Sequence, residues 1–139
     1  SGGGLNHFTA HVVAAFMELG LLDEHVEMLR RTYRERRDAL SDALAHDLPA
    51  GCGFERPGGG YFVWVQLPEG WDSVELLPAA ESAGVTYVPG VRFYVDGKGK
   101  RHLRLAFSLL PPDDLTEGVR RLARVLRAYA WRGDPAGLA

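Results

Sequence analysis

A chain of 139 residues, 46% of them hydrophobic, has enough apolar surface for one domain with a real core rather than two. Its net charge is only −2, with acids and bases interspersed, which excludes the basic profile of a nucleic-acid binder. No apolar run approaches the roughly 20 residues that span a bilayer, and a lone cysteine, Cys52, excludes an intrachain disulfide framework.

A free thiol suits a reducing cytoplasm. The opening Ser1-Gly2-Gly3-Gly4 has the composition of a loop or a cloning scar, without the charged and apolar blocks of a signal peptide. Phe8, Val12, Ala15, Phe16 and Leu19 recur at helical spacing and predict a first helix from Phe8 to Leu19, ended by Gly20. A long second helix is expected from about Glu24 to Ala45, with Asp23 as its cap. Its apolar stripe is thin: Val26, Leu29, Tyr33, Leu40 and Leu44. The other face carries Arg30, Arg31, Arg34 and Arg37. A helix of that kind suits a boundary between larger bodies. Pro49-Ala50-Gly51 ends it.

Beyond Gly53 the period changes. Tyr61 to Leu67 is β-rich and alternates toward its end, and Pro68 and Gly70 stop it. Ser73 is placed to cap a helix running through Leu76, Leu77, Ala80 and Ala83 to Gly84. Pro78 predicts an irregular first turn or a later start. Val85 to Val88 reads as a short strand cut by Pro89-Gly90, and Asp96 to Lys100 as a turn. His102 to Phe107 is the next strand. Pro111-Pro112-Asp113-Asp114 opens a last helix, with proline and acids where both are favoured. Leu115, Val119, Leu122, Val125, Leu126 and Tyr129 form its buried stripe, and a disordered tail is expected after Trp131. Strand, helix, strand, strand, helix is the order of a small sheet covered by helices, an α+β domain.

Among residues that carry chemistry, Arg104 stands out. Side chains alternate along a strand, so Leu103, Leu105 and Phe107 share one face while His102, Arg104, Ala106 and Ser108 share the other. A guanidinium held on a rigid strand suits bidentate capture of a carboxylate. The residues alone equally allow a solvated arginine on an open sheet face. Gly58-Gly59-Gly60 before the strand permits tight turns and close approach to the backbone, or is an ordinary loop. Val88 to Phe93 is a ligand-facing loop or a plain turn. His7 and His11 lie four apart, but no acid or cysteine completes a metal set nearby. The arginines of the long helix are a solvated face rather than a nucleic-acid patch. The two lysines, Lys98 and Lys100, lie in a turn. No phosphate loop, nucleophile elbow or Cys-x-x-Cys pair occurs.

"RPGGGYFVWVQLP", "AGVTYVPGVRFY" and "HLRLAFSLLPPDDLTEGVRRLARVL", in that order, resemble the C-terminal small domain of fold-type-I aminotransferases. The nearest subgroup contains the 2-aminoadipate and kynurenine aminotransferases, and the aminotransferase-like domain of MocR-type regulators is similar too. The stretch from Ser1 to Leu40 resembles the end of the family's large domain and the helix that joins its two domains. The resemblance implies residues 1–22 as the end of the large domain and 23–50 as the connecting helix. It makes 51–131 the small domain and leaves 132–139 as the tail. It further implies a fragment of an enzyme that moves an amino group between an amino acid and a 2-oxo acid. That enzyme uses pyridoxal phosphate and works as a cytoplasmic homodimer, with no nucleic acid or membrane partner for this segment. Arg104 matches the family's grip on the substrate α-carboxylate. Phe62 matches a position lining the pocket, with Gly60 just before it, and the Pro89-Gly90 turn matches a loop nearby. The Schiff-base lysine matches no residue of this chain, so the segment by itself should be inactive and complete only with the missing large domain. The same resemblance admits a second parent, a MocR/GntR-type regulator whose aminotransferase fold senses an effector.

Overall fold

The computed structural model describes residues 21–132. The helix expected over Phe8 to Leu19, its Gly20 stop, the His7/His11 pair and the tail from 133 lie outside the described residues. The chain divides into two units between Glu35 and Arg36. Helix α1, Leu21–Asp47, contributes to both. It takes Asp23 into its first turn beside Glu24 rather than leaving it as a cap, and the acids there favour the positive end of the dipole. In the first unit Glu27 faces Arg34 at 3.5 Å and Arg30 at 4.0 Å. These exposed pairs are worth little. Leu29, expected in the apolar stripe, is exposed.

The second unit is a four-stranded antiparallel sheet with helices. Its strands are β1 (Gly53–Phe54), β2 (Phe62–Gln66), β3 (Val88–Pro89) and β4 (His102–Ala106). Its helices are α2 (Ser73–Ser82), a 3-10 turn over Gly90–Phe93, and α3 (Pro112–Trp131). The strand order is β1-β2-β4-β3, every neighbour antiparallel, so the expected α+β class holds. Val63 and Val65 of β2 and Leu103 and Leu105 of β4 turn inward, followed by Phe107. They form the core with Leu40 and Leu44 of α1, Leu76 and Ala80 of α2, and Leu115, Val119, Leu122 and Leu126 of α3. Each of the valine, leucine and phenylalanine side chains among them contributes about 1.5–3 kcal/mol on burial.

Several local expectations are corrected. The cap of α2 is Asp72, not Ser73: its backbone is extended, and its carboxylate accepts from Val74 N at 2.9 Å. Ser73 is the first helical residue and is fully buried. Pro78 neither delays nor breaks α2, which runs continuously through it. The loss is one N–H, since a proline cannot bond back to the carbonyl four residues earlier. Gly84 closes the helix as expected, with φ +89, and Val85 N bonds Ala80 O at 2.9 Å. That bond holds Val85 to the helix end. The strand expected from Val85 therefore begins only at Val88, and Pro89, which has no N–H for a ladder, sits on an edge. β1 was not expected at all.

No helix among the described residues is long and apolar enough to cross a membrane.

Candidate functional site

The open face of the sheet carries the side chains that the core does not use. Along β4 these are His102, Arg104 and Ala106, and along β2 Phe62, Trp64 and Gln66. The register sets Phe62 opposite Ala106, Trp64 opposite Arg104 and Gln66 opposite His102. A long arginine side chain reaches a diagonal neighbour across such a ladder. The guanidinium carbon of Arg104 accordingly lies 3.7 Å from the centre of the Phe62 ring.

A second ring arrives from another element. Phe93, last residue of the 3-10 turn, places its ring centre 4.5 Å from the Arg104 guanidinium carbon. It also meets Trp64 edge-on, with centroids 5.0 Å apart and planes at 72°. The turn is tied to the start of β4 by two glycines. A Cβ on Gly90 would lie 2.5 Å from Gly99 O and 2.8 Å from His102 Cβ, so only glycine allows this approach. His102 N bonds Gly99 O at 3.1 Å, which closes the connection one register step from Arg104.

The arginine is held by rings, and no acid pairs with it among the described residues. Its Nε is buried and has no hydrogen-bond partner among the described residues. Contacts with an aromatic face stabilise a guanidinium by about 0.5–2 kcal/mol each, while a buried donor left unmade costs about 1–3 kcal/mol. The balance leaves a cation whose orientation is set and whose hydrogen bonding is unspent. His102 Nδ1 is likewise buried, with no hydrogen-bond partner among the described residues. Beside these groups an open groove of about 580 Å³ runs past Phe62, Trp64, Gln66 and His102 to Phe54 and Arg56. Arg56 anchors that wall, bonding Asp38 at 3.0 Å and Asp42 at 2.6 Å. The Asp42 hydrogen bond raises the Arg56 guanidinium above its ordinary value.

Of the residues singled out from the sequence, the structure brings Phe62 and Arg104 into direct contact. Gly60 stands two residues before Phe62 with φ +75. Nothing lies within 4 Å of a Cβ built there, so its backbone conformation, not crowding, asks for glycine. Lys98 and Lys100 are exposed in the loop before β4, and Lys98 pairs with Asp96 at 3.4 Å. Burial pushes the Cys52 thiol up, the opposite of the lowered value that marks a reactive cysteine. No group of residues suited to a metal ion occurs among the described residues. Trp64 and Phe93 were not singled out. Alternation with Phe62 was a signal for Trp64. For Phe93 the sequence offered a ligand-facing loop or a plain turn.

The family model for aminotransferase class I and II matches residues 5–122. Aromatic-amino-acid aminotransferase 1 of Thermococcus litoralis is 38% identical over 122 residues, which are 88% of this chain and 29% of that protein. The crystal structure of LysN, the α-aminoadipate aminotransferase of Thermus thermophilus complexed with N-(5'-phosphopyridoxyl)-L-leucine, superposes with a TM-score of 0.78 at 35% identity. It covers 86% of this chain and 30% of that one. The HTH-type transcriptional regulator TauR of Rhodobacter capsulatus is 33% identical over 116 residues, 83% of this chain and 24% of that protein. The chain thus spans less than a third of the length of these relatives. With an α+β frame and the family model matching residues 5–122, the chain belongs to the class I and II aminotransferase family.

Proposed function

We propose that this chain is the carboxylate-gripping part of a pyridoxal-phosphate-dependent aminotransferase that moves an amino group between an amino acid and a 2-oxo acid. The observation that carries the reading is Arg104: a strand-borne guanidinium packed on aromatic rings, with a buried Nε that nothing in the described residues satisfies. Carboxylate is the ligand that fits, because two parallel N–H···O bonds match its geometry. Holding the α-carboxylate fixes where the substrate amine stands, which is a large part of what such an enzyme contributes. Phe62 serves as a pocket wall and Gly60 as the turn that delivers it.

The cofactor, when bound, supplies the electron sink for the reaction. The described residues do not fit it. Both lysines are exposed, and Lys98 is engaged with Asp96. The cofactor site and its lysine are therefore assigned to the remainder of the enzyme, a large domain that residues 1–22 would help complete. In this reading 23–50 connect the domains and 51–131 form the small one, with 132–139 as a tail. The protein works in the cytoplasm as a homodimer.

A regulator is the second reading, favoured by the TauR relative. There the same arginine would sense an amino acid. A winged-helix DNA-binding segment encoded upstream would select that reading.

The test uses the chain by itself and the chain joined to its upstream sequence. The first, mixed with pyridoxal phosphate, should show no new visible absorption band and no borohydride-trapped adduct by intact mass. The second should transaminate. A stoichiometric adduct at Lys98 or Lys100, or a longer protein without amino transfer, would overturn the proposal.

A further inference from the structure

Phe93 is a half-exposed ring at the end of a 3-10 turn, and its ring contacts are with Arg104 and Trp64 rather than with the core. Solvent-facing aromatics usually need no such anchoring, yet this one is anchored twice. Tyr94 N closes the turn onto Val91 O at 3.3 Å. The Gly90–Gly99 approach, with 2.8 Å from a Cβ on Gly99 to the Gly90 carbonyl carbon, then fastens it to the start of β4. Phe93 thus reaches Arg104 from a rigid element that is not its ladder neighbour.

That matters because nothing else orients the guanidinium from that side. The buried Nε of Arg104 has no hydrogen-bond partner among the described residues. A free arginine side chain loses much rotamer freedom when it binds, and preorganisation removes that loss. Phe62 lies on the neighbouring strand and packs on the guanidinium at 3.7 Å. One ring leaves the planar group free to swing away from it; a second, itself braced by Trp64 at 5.0 Å, does not. We infer that Phe93 is a positioning residue for Arg104, fixing the plane in which the guanidinium meets a carboxylate. The inference rests on the carboxylate reading of Arg104 given above.

The experiment follows the Arg104 Nε–H signal by NMR in the full 139-residue chain, and titrates the chain with the apolar 2-oxo acid 4-methyl-2-oxopentanoate. In the unsubstituted protein the signal should be displaced by ring currents and slow to exchange with water. Phe93→Ala should move it to the position of exposed arginines, speed its exchange and weaken the 2-oxo acid roughly tenfold. Phe93→Tyr should restore all three. If Phe93→Ala does not fold, Phe93→Leu removes the ring while keeping bulk and asks the same question. An Arg104 signal and affinity that ignore the loss of the ring would overturn the inference. A signal that depends on Phe93 in a chain that binds no 2-oxo acid would uphold the positioning role and count against the carboxylate reading instead.

Discussion

Gly90 and Gly99 meet backbone to backbone, with no room for a side chain on either: a Cβ on the first would stand 2.5 Å from the carbonyl oxygen of the second. This contact docks the 3-10 turn on β4 and so brings Phe93 to Arg104. Gly90→Ala should therefore cost about 1–3 kcal/mol, as overpacking does, measured by urea unfolding. Gly99→Ala should cost more, because its φ of +87 adds backbone strain to the clash. Wild-type midpoints for both would remove the docking argument.

The cap of α2 separates two adjacent residues with opposite outcomes. Asp72→Ala removes the acceptor of the Val74 N–H and should destabilise by about 1 kcal/mol. Ser73→Ala deletes a buried hydroxyl that has no partner among the described residues. It should leave stability within about 0.5 kcal/mol or raise it. Thermal unfolding of the two variants side by side decides between the caps.

Tyr87 carries a pH dependence. Its hydroxyl donates to Ser73 O at 2.6 Å in a buried site, and burial pushes it above its ordinary value of 10.0. The folded protein keeps the proton when the unfolded chain has begun to lose it. Stability from this group is thus fully present below pH 10 and declines as pH rises above it. Tyr87→Phe should lower stability at pH 7 by about 0.5–1.5 kcal/mol and flatten the decline above pH 10. An equally steep alkaline loss in the variant would assign that loss to other groups.

What the sequence made legible follows from periodicity. Leu103, Arg104 and Leu105 alternate, and one buried face dictates the other, so the outward direction of Arg104 could be read directly. The stripe of α3 and its proline-and-acid start were equally plain. Other features had no local signal. β1 is two residues long, too short for a period, and its pairing with β2 is set by the fold. Asp72 and Ser73 are both good caps by type, and only the backbone angles choose between them. The approach of Phe93 depends on contact between glycines nine positions apart, which no window of sequence reveals.

The most direct measurement is the specificity constant of the proposed aminotransferase carrying this chain, for an amino acid and for the amine that lacks only its carboxylate, with and without Arg104→Ala. Loss of a desolvated charge partner costs about 2–5 kcal/mol, so the amino acid should fall roughly 30- to 5000-fold. The amine should be unaffected. Equal rates for the amino acid before and after the substitution would contradict the assignment of Arg104, and with it the role proposed for this chain.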